Sequence, residues 1–409
     1  MGYSDWKKVN LVECLDILLD YRGKTPEKSE NGILTLSAKS VKNSKIDYSE
    51  AYTISQDEYK RFMVRGIPLK GDILITTEAP MGQVAKLDRN GIAVAQRLLT
   101  LRPNSKVLNN DYLLYFLQSA KGQAELKARE SGSTVTGIKQ SEFRKIDIIL
   151  PPLVEQKAIA NVLSSLDDKI ELNNKINKIL EEIAQTLYKR WFVDFEFPNE
   201  GGEPYKSSGG DMVESELGLI PKGWRTVSLS ELVIKCNKKV IPDGNEKIID
   251  MANMPSYSIA LCSYENGDKL STNTYKMDKY SFLYGSIRPY LGKFGIAPFD
   301  GITTGTIHNF VVQEDYDFSF VASVTFSKNF NDFCIQLSHG TKMPKVSWAD
   351  FSSYKIPYST KVSLKFNKLV KSIYDQIVNS VLENNRLSSI RDELLPKLMN
   401  GEIEVPIKE

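Results

Sequence analysis

The sequence contains few of the residues that most often bind metals or act as nucleophiles. Its 409 residues include two histidines and four cysteines, and no two cysteines form a C-x-x-C pair. A zinc site needs about four such ligands at close spacing. We therefore predict no metal site and four reduced thiols, at Cys14, Cys236, Cys262 and Cys334.

Long apolar runs are also absent. No run approaches the roughly 20 residues of a membrane span, and the first residues, MGYSDWKKVN, hold no apolar signal core. The hydrophobic content of 41% and the charged content of 25% are those of an ordinary globular protein. We therefore expect a cytoplasmic chain of two or more domains with no membrane partner.

Motifs of nucleotide-binding and catalytic sites are missing. The glycine spacing at Gly66 lacks the Lys-Ser/Thr of a phosphate-binding loop, and no G-x-G-x-x-G occurs. The LPPL at Leu150 lacks the asparagine of an adenine methyltransferase motif, and the PDGNEK at Pro242 is too compressed for a nuclease site. No Ser-His-Asp set is visible. We predict no catalytic residues and no cofactor in this chain.

Charge of one sign is not in large excess. The net charge is +2, from 53 Lys and Arg against 51 Asp and Glu. Residues 1–150 hold 23 Lys and Arg against 18 Asp and Glu, whereas residues 224–360 hold 14 against 13. Any surface that binds nucleic-acid phosphates must therefore be a local patch.

The sequence does contain an internal repeat. The stretch ELNNKINKILEEIAQTL, from Glu171 to Leu187, returns as LENNRLSSIRDELLPKL, from Leu382 to Leu398. An offset of 211 residues, which pairs Asn173 with Asn384, holds over about forty positions. Such a run at constant offset indicates a duplication.

Shorter motifs recur in the same order outside these helices. The matched pairs are WKKVNLVE at Trp6 with WRTVSLSE at Trp224, GDILITTEAPMGQVA at Gly71 with GSIRPYLGKFGIA at Gly285, and GSTVTGIKQSEF at Gly132 with GTKMPKVSWADF at Gly340. We predict a first globular domain over 1–150, a helix over 151–195, an exposed polar linker over 196–223, a second globular domain over 224–360 and a second helix over 361–409.

Each globular domain has the pattern of a mixed α/β fold. Short β-rich runs such as DILIT, LLTLRP and IDIILP alternate with Gly- and Pro-rich turns. The segment NDYLLYFLQSAKGQAELKA is typical of a helix, and FSFVASVTFSKNFNDFCIQL is its counterpart in the second domain.

The two long helices follow prolines, which suit a first helical turn, and are predicted over roughly Leu153–Phe192 and Val362–Met399. A 4-3 spacing of mostly apolar residues is typical of a coiled-coil seam. The seam residues are Ile159, Leu166, Ile170, Asn173, Leu180, Leu187, Val370, Ile377, Val381, Asn384 and Leu398. Pro396 should end or kink the second helix near Leu395.

Two such stripes in one chain can bury each other as an antiparallel pair. Asn173 and Asn384 should then meet near the middle, where polar seam residues commonly fix the register of a coiled coil. The predicted fold is α+β, with two repeated mixed α/β domains held apart by two long antiparallel coiled-coil helices and related by a pseudo-two-fold axis.

The polar loops of both domains mix Gly, Thr, Gln, Lys and Arg. These residue types suit contacts with base edges and phosphates, although solvated turns have the same composition. The candidate DNA-binding residues are Lys24, Thr25, Thr77, Gln83, Thr134 and Lys139 in the first domain, and Lys238, Arg288, Tyr290, Lys293, Thr341, Lys342 and Lys345 in the second.

Three stretches resemble a known family. LPPLVEQKAIANVLSSLDDKIELNNKINKILEEIAQTLYKRWFVDFEF is similar to the first conserved helical region of type I restriction–modification specificity subunits, and LPKLMNGEIEV to the close of the second. GLIPKGWRTVSLSEL resembles the start of their second target-recognition domain. The resemblance covers almost the whole chain and is most specific in the helices.

The resemblance implies a non-catalytic subunit whose two domains each read one half of a split double-stranded DNA target in the major groove. It implies that the helices set the gap and bind two methyltransferase subunits, which use S-adenosylmethionine. It also implies restriction subunits that use ATP and Mg.

Two other hypotheses stay open. The paired domains could form a scaffold that binds only proteins, which predicts no salt-sensitive DNA binding. The chain could also be a nuclease or methyltransferase with an unrecognised site, which predicts activity from the purified chain.

Overall fold

The computed structural model describes residues 6–21, 25–42, 44–132, 136–266 and 273–406. The chain divides into two compact units, one of Met1–Asp168 with Ser388–Glu409 and one of Lys169–Leu387. Each unit contains one mixed α/β domain and a segment of each of two long helices. Within the described ranges, no helix is long and apolar enough to cross a lipid bilayer.

The first domain alternates short strands with short helices. Its strands are β1 (Lys7–Asn10), β2 (Leu15–Asp20), β3 (Ile33–Leu36), β4 (Val41–Lys42), β5 (Lys45–Ile46), β6 (Tyr52–Ile54), β7 (Ile73–Thr76), β8 (Val84–Lys86), β9 (Ala93–Val94), β10 (Leu98–Pro103) and β11 (Asp147–Leu150). Its helices are α1 (Gln56–Phe62), α2 (Asn110–Gln118), α3 (Ala120–Lys127) and α4 (Gln140–Phe143).

The main sheet of this domain is antiparallel, in the order β2-β10-β7-β8. A smaller sheet has the order β6-β3-β9, in which β3 and β9 run parallel. The outer strands β1 and β11 pair with each other. The helix α2 packs its buried aromatic residues against this core, and the Tyr112 hydroxyl donates to the Ile149 carbonyl at 2.9 Å.

The first long helix, α5 (Leu153–Tyr188), starts in the first unit, and the second unit begins within it at Lys169. The remaining strands belong to the second unit. Its strands are β12 (Met212–Ser215), β13 (Gly218–Pro221), β14 (Arg225–Ser228), β15 (Val233–Lys235), β16 (Lys247–Ile249), β17 (Glu265–Asn266), β18 (Thr274–Met277), β19 (Phe282–Gly285), β20 (Phe294–Ile296), β21 (Gly301–Thr304), β22 (Ile307–Val312) and β23 (Lys355–Tyr358). The following helices are α6 (Phe318–Thr325), α7 (Lys328–Gln336), α8 (Trp348–Ser352) and α9 (Thr360–Met399).

The second domain repeats the main-sheet topology of the first, and its smaller sheet has one strand more. Its main antiparallel sheet has the order β15-β22-β19-β20, and its smaller sheet, β17-β16-β21-β18, contains the parallel pair β16–β21. The strands β14 and β23 pair as β1 and β11 do. The internal repeat predicted from the sequence is thereby confirmed at the level of topology.

One part of the sequence alignment is wrong. The strand β7 ends at Thr76 and β19 ends at Gly285, and each of these residues donates its N–H across to the next strand. Gly285 therefore corresponds to Thr76 and not to Gly71. The error arose because Gly71 precedes β7 whereas Gly285 is the last residue of β19, and the sequences that follow the two glycines look alike.

The long helices have nearly the predicted extents. The helix α5 continues into a π-helical turn over Lys189–Val193. The prediction that Pro396 ends α9 near Leu395 is wrong, because the helix runs on to Met399. The missing N–H of Pro396 removes only one hydrogen bond, close to a terminus where little helix remains to be lost.

The end of α9 is set by a glycine cap. Gly401 has a left-handed φ of 64°, and its N–H donates to Leu398 O at 3.1 Å. Glu402 N donates to Lys397 O at 2.8 Å. This pair of bonds is a Schellman motif, which satisfies carbonyls that a helix end leaves free.

The segment 196–223 is more structured than a polar linker. It contains the hairpin β12–β13, and Phe197 stacks on Tyr205 with ring centroids 4.6 Å apart. Phe197 and Ile220 are buried in the core of the second domain. These apolar residues anchor a segment that is otherwise largely exposed.

Candidate nucleic-acid interface

Two loops of the first domain are joined by backbone hydrogen bonds. Ser131 and Gly137 exchange two bonds, of 2.8 and 3.0 Å. Ile138 N donates to Thr77 O at 2.9 Å, which attaches this loop to the end of β7.

The second domain makes the same bonds at the equivalent positions. His339 and Lys345 exchange two bonds, of 3.0 and 2.9 Å. Val346 N donates to Ser286 O at 3.0 Å, at the end of β19. The described parts of both domains therefore share one loop arrangement, which we call the paired loops: 77–83 with 131–132 and 136–139, and 286–293 with 338–345.

The paired loops of the two domains also have positive φ angles at matching positions. Gly132 and Gly340 have φ of 114° and 112°, where a side chain would be strained. Ala79 and Arg288 have φ of 54° and 51°, and each precedes a proline. Non-glycine residues seldom adopt such angles, so both loops are held in an unusual conformation by their surroundings.

The sequence-predicted residues of the first domain differ in accessibility. Thr25 and Lys139 are exposed, and Gln83 is half-buried. Thr77 is buried, with its backbone bonded to Arg97 and Ile138 on either side. Thr77 therefore shapes the loop and has no surface to offer to a ligand. Two further predicted residues, Lys24 and Thr134, lie outside the described residues.

Most predicted residues of the second domain are exposed. These residues are Lys238, Arg288, Tyr290, Thr341, Lys342 and Lys345. Lys293 is half-buried, and its ammonium donates to the Met254 carbonyl within the domain. Lys293 is thus already engaged in this structure.

The paired loops of the second domain bring three cations onto neighbouring segments. Arg288 N donates to Pro344 O at 2.7 Å, and Ile287 is bridged to Lys345. Arg288, Lys342 and Lys345 form no ion pair with a carboxylate of the described residues. Unpaired cations on adjoining loops make a local positive surface despite the near-neutral domain.

A cleft of about 540 Å³ opens beside these loops in the second domain. It contains no acidic residue, and its lining is Lys235, Cys236, Asn237, Tyr275, Gly305, Ile307, His308, Asn309, His339, Lys345, Ser347 and Trp348.

His308 forms a buried, neutral part of this cleft. Its Nε2 lies 3.1 Å from the Val346 carbonyl, so that nitrogen carries the proton. Its ring lies edge-on to Trp348, with centroids 5.5 Å apart. Burial is the main cause that lowers the pKa of His308 to about 4, and the positive charges of Lys235 and Lys345 act in the same direction.

The sequence prediction missed several residues of the cleft. Lys235 and Asn237 lie in a segment that the sequence indicated, but only Lys238 was selected from it. His308 and Trp348 carried no signal in one sequence, because their convergence depends on the pairing of β22 with β19 and on the start of α8.

The helix seam contains a buried amide pair. Asn173 Nδ2 donates to Asn384 Oδ1 at 2.9 Å, and Asn384 Nδ2 donates to Asn174 Oδ1 at 2.9 Å. Asn173 and Asn384 are 3% and 4% exposed. The predicted meeting of these two asparagines is confirmed.

The two helices run antiparallel within the second unit. Gln185 on α5 and Tyr374 on α9 both hydrogen-bond to Ser323, whereas Asn173 meets Asn384. Residue numbers therefore rise along α5 as they fall along α9.

The other seam residues are buried or half-buried in their own units. The buried ones are Ile159, Val370, Ile377, Val381 and Leu398, and the half-buried ones are Leu166, Ile170, Leu180 and Leu187.

Each unit also ties α5 to its domain through a carboxylate. In the first unit, the Tyr115 hydroxyl donates to Asp167 Oδ2 at 2.7 Å. In the second, Glu181 Oε1 accepts from Ser258 Oγ at 2.9 Å and from Ile259 N at 2.8 Å. Burial raises the pKa of the Glu181 carboxyl.

Fold and site together define a duplicated binding protein with two similar domains and two long helices. Among the residues that the structure describes, no three His, Cys, Asp or Glu side chains are grouped as metal ligands. The duplicated parts are surface loops and a helix seam.

Comparison with known proteins identifies the family. A model of the type I restriction modification DNA specificity domain matches residues 3–182 and 221–385. The chain belongs to this family of specificity subunits, and it is a non-catalytic DNA-recognition subunit and not itself an enzyme.

Individual relatives agree with this assignment. The MjaIX specificity subunit of Methanocaldococcus jannaschii is 30% identical over 378 residues, covering 86% of this chain and 82% of the relative. The HindI specificity subunit of Haemophilus influenzae is 24% identical over 471 aligned positions, covering 98% and 100%. The S subunit structure from M. genitalium shares the fold, with a TM-score of 0.56, 17% identity and coverage of 100% and 98%.

Proposed function

We propose that each domain reads one half of a bipartite DNA target in the major groove, and that the helix pair sets the number of unread base pairs between the halves. The observation that carries this proposal is that the same three backbone hydrogen bonds close the paired loops and attach them to the main sheet in each of the two domains. Two copies of one loop arrangement suit two separate half-sites.

The exposed side chains of these loops have the chemistry that such reading needs. An arginine can donate two hydrogen bonds to O6 and N7 of guanine, whereas lysines bind phosphates as point charges. Arg288 has an exposed side chain on a backbone held by Pro344, so we assign it to base reading. Lys139, Lys342 and Lys345 are assigned to phosphates.

The helices in this proposal also bind two methyltransferase subunits, which use S-adenosylmethionine to methylate adenine. Restriction subunits that use ATP and Mg would join the same complex. The support is a second apolar stripe on α5, away from the seam: Leu172, Ile179 and Ile183 are 52%, 55% and 42% exposed. An exposed apolar stripe of this kind marks a protein contact.

The repeat places one exposed apolar residue at a matching position of α9. At the offset of 211 residues, Ile179 corresponds to Ile390, which is 37% exposed. Leu172 corresponds instead to Glu383, and Ile183 corresponds to Leu394, which packs partly buried against the core of the first unit. The stripe on α5 therefore carries the support for this protein contact.

A charge on this stripe should release the partner. We expect Ile179→Glu to weaken copurification of the methyltransferase subunit with the chain by at least tenfold, because a carboxylate would be buried without a partner. The neighbouring substitution Glu182→Gln, on an exposed position of the same helix, should leave copurification unchanged. Equal copurification of both variants would remove this stripe from the contact.

The experiment that tests the function is methylome sequencing of cells with and without the gene. We expect one bipartite adenine-methylated motif to disappear when the gene is deleted. The alternative, a scaffold that binds only proteins, predicts an unchanged methylome and no salt-sensitive DNA binding by the purified complex.

A further inference from the structure

The cleft of the second domain gathers positive charge without a counter-ion. The Lys235 ammonium lies 5.4 Å from the centre of the Trp348 ring, and Lys345 lies at the end of the 338–345 loop. Both lysines are exposed and line the same cleft as the buried ring of His308. Two like charges beside one cleft favour an anionic ligand.

Two carboxylates that interact with lining residues or their neighbours are already engaged. Asp278 forms an ion pair with Lys276, and Asp350 accepts a hydrogen bond from Ser347 Oγ at 2.6 Å. Neither Lys235 nor Lys345 forms an ion pair with a described carboxylate. Their charges are therefore available to an external anion.

Strand register shows what the first domain has at the position of Lys235. Lys235 on β15 pairs with Phe310 on β22, and Leu18 on β2 pairs with Leu101 on β10. The equivalent of this lysine in the first domain is therefore Leu18.

At the positions of His308 and Lys345, the first domain also has residues without a titratable side chain. His308 lies opposite Tyr284, where the first domain has Leu99 opposite Ile75. The bridge of Lys345 to His339 matches that of Gly137 to Ser131. Leucine and glycine thus stand in the first domain where the second has histidine and lysine.

The first domain also has a neutralised charge at the bridge between its paired loops. Glu78, which occupies the position of Ile287 in the loop bridge, forms an ion pair with Arg97 at 2.6 Å. At this position of the loop bridge, an anion therefore meets a paired carboxylate in the first domain.

We propose that Lys235 and Lys345 hold one backbone phosphate of the DNA at the second half-site, in a subsite that the first domain lacks. This proposal rests on the proposed function, in which the paired loops face DNA. It adds that the second half-site has one phosphate contact for which the first domain has no equivalent.

The subsite can be tested by the salt dependence of DNA binding. The full-length chain, in complex with its methyltransferase subunits, would be titrated with its own target duplex over a range of salt concentrations. Each phosphate contact contributes about 0.9 to the slope of log K against log salt. We expect the double variant Lys235→Met/Lys345→Met to lower the magnitude of the slope by about 0.9, with the preferred sequence unchanged.

Matched variants separate charge from folding. Methionine keeps the aliphatic stem of Lys235 over Trp348 and removes only the charge, and Lys235→Arg should keep the wild-type slope. Lys328→Met, at an exposed lysine of α7 that is paired with Asp332, should also keep it. Thermal unfolding of each variant verifies that the fold is intact.

The outcomes are distinct. If wild-type complex binds its own duplex no better than an unrelated one, the proposed function fails. If wild type binds specifically but the double variant keeps the wild-type slope, the phosphate subsite is wrong. Binding of inorganic phosphate, followed by the part of the tryptophan fluorescence that a Trp348→Phe variant lacks, provides the second arm. Saturable phosphate binding with an unchanged DNA slope would make this a free-anion site and also overturn the assignment to DNA.

Discussion

At the scale of single residues, the buried asparagine pair is the clearest structural device. A polar pair in an apolar seam costs stability, but it penalises any register in which one amide is left without its partner. Asn173 and Asn384 bond to each other, and Asn384 bonds also to Asn174. Their arrangement therefore favours one alignment of α5 and α9.

This account predicts an asymmetry between single and double substitutions. Asn173→Leu should lower the free energy of unfolding of the second unit by about 1–3 kcal/mol, because Asn384 Oδ1 loses its donor in a buried site. Asn173→Leu/Asn384→Leu should cost less than the single change. Urea titration measures both, with Lys178→Gln, at an exposed position of α5, as a control expected within about 0.5 kcal/mol. An additive double variant would contradict the pairing.

His308 predicts a pH dependence of stability. Its pKa of about 4 in the folded state lies below its ordinary value of 6.5. The unfolded chain therefore binds a proton first as the pH falls. The stabilisation is fully present above pH 6.5 and is lost toward pH 4, in total by about 3 kcal/mol at 1.36 kcal/mol per pH unit.

The matched variant is His308→Phe, which keeps a ring and removes the titration. As the pH is lowered from 7 to 4, the free energy of unfolding of the wild type should decrease relative to that of the variant. A difference that does not vary with pH would show that His308 is not buried in its neutral form.

At the scale of elements, the helices act in this account as a ruler. Inserting four helical residues next to both Asn173 and Asn384 lengthens each helix by about 6 Å, and two base pairs span roughly 7 Å. The insertion adds about 400° of helix, a net rotation of about 40°, against about 70° for two base pairs. DNA twist or domain tilt must absorb the remaining 30° or so.

We therefore expect the methylated motif of the insertion variant to keep both half-sites and to gain one or two base pairs in its gap. Methylome sequencing of cells that express the variant reads this directly. An active variant with an unchanged gap would show that another part of the complex sets the spacing.

The elements also show what sequence patterns can predict. Seam periodicity, prolines and the constant offset were enough for both helices and for the Asn173–Asn384 contact, because a helix seam depends on local spacing. The cap at Gly401 and the register of Gly285 were missed, because each depends on which distant backbone group is bonded. The hairpin in 196–223 was missed because a few apolar residues anchor a polar segment.

The cleft illustrates the same limit at the candidate site. Exposed loop residues such as Arg288 and Lys342 could be selected by composition alone. Lys235 and His308 could not, since only strand pairing shows that they converge and that Leu18 and Leu99 replace them in the first domain.

At the scale of the whole molecule, the two domains share a main-sheet topology but differ in the side chains on their paired loops. The strand orders of the main sheets are the same in both domains, and so are the backbone bonds that close the paired loops and attach them to the sheet. The side chains on those loops differ, as expected if shared backbone geometry positions each domain on DNA and side chains select the bases.

The most direct test of this account replaces residues 224–356 with the second recognition domain of another family member and sequences the methylome. The replaced segment begins at Trp224 and ends before Pro357, so that α5, α9 and the first domain remain intact. We predict a methylated motif in which one half is new and the other half and the gap are unchanged. A motif in which both halves change, or in which neither does, would contradict the claim that each domain reads one half of the target.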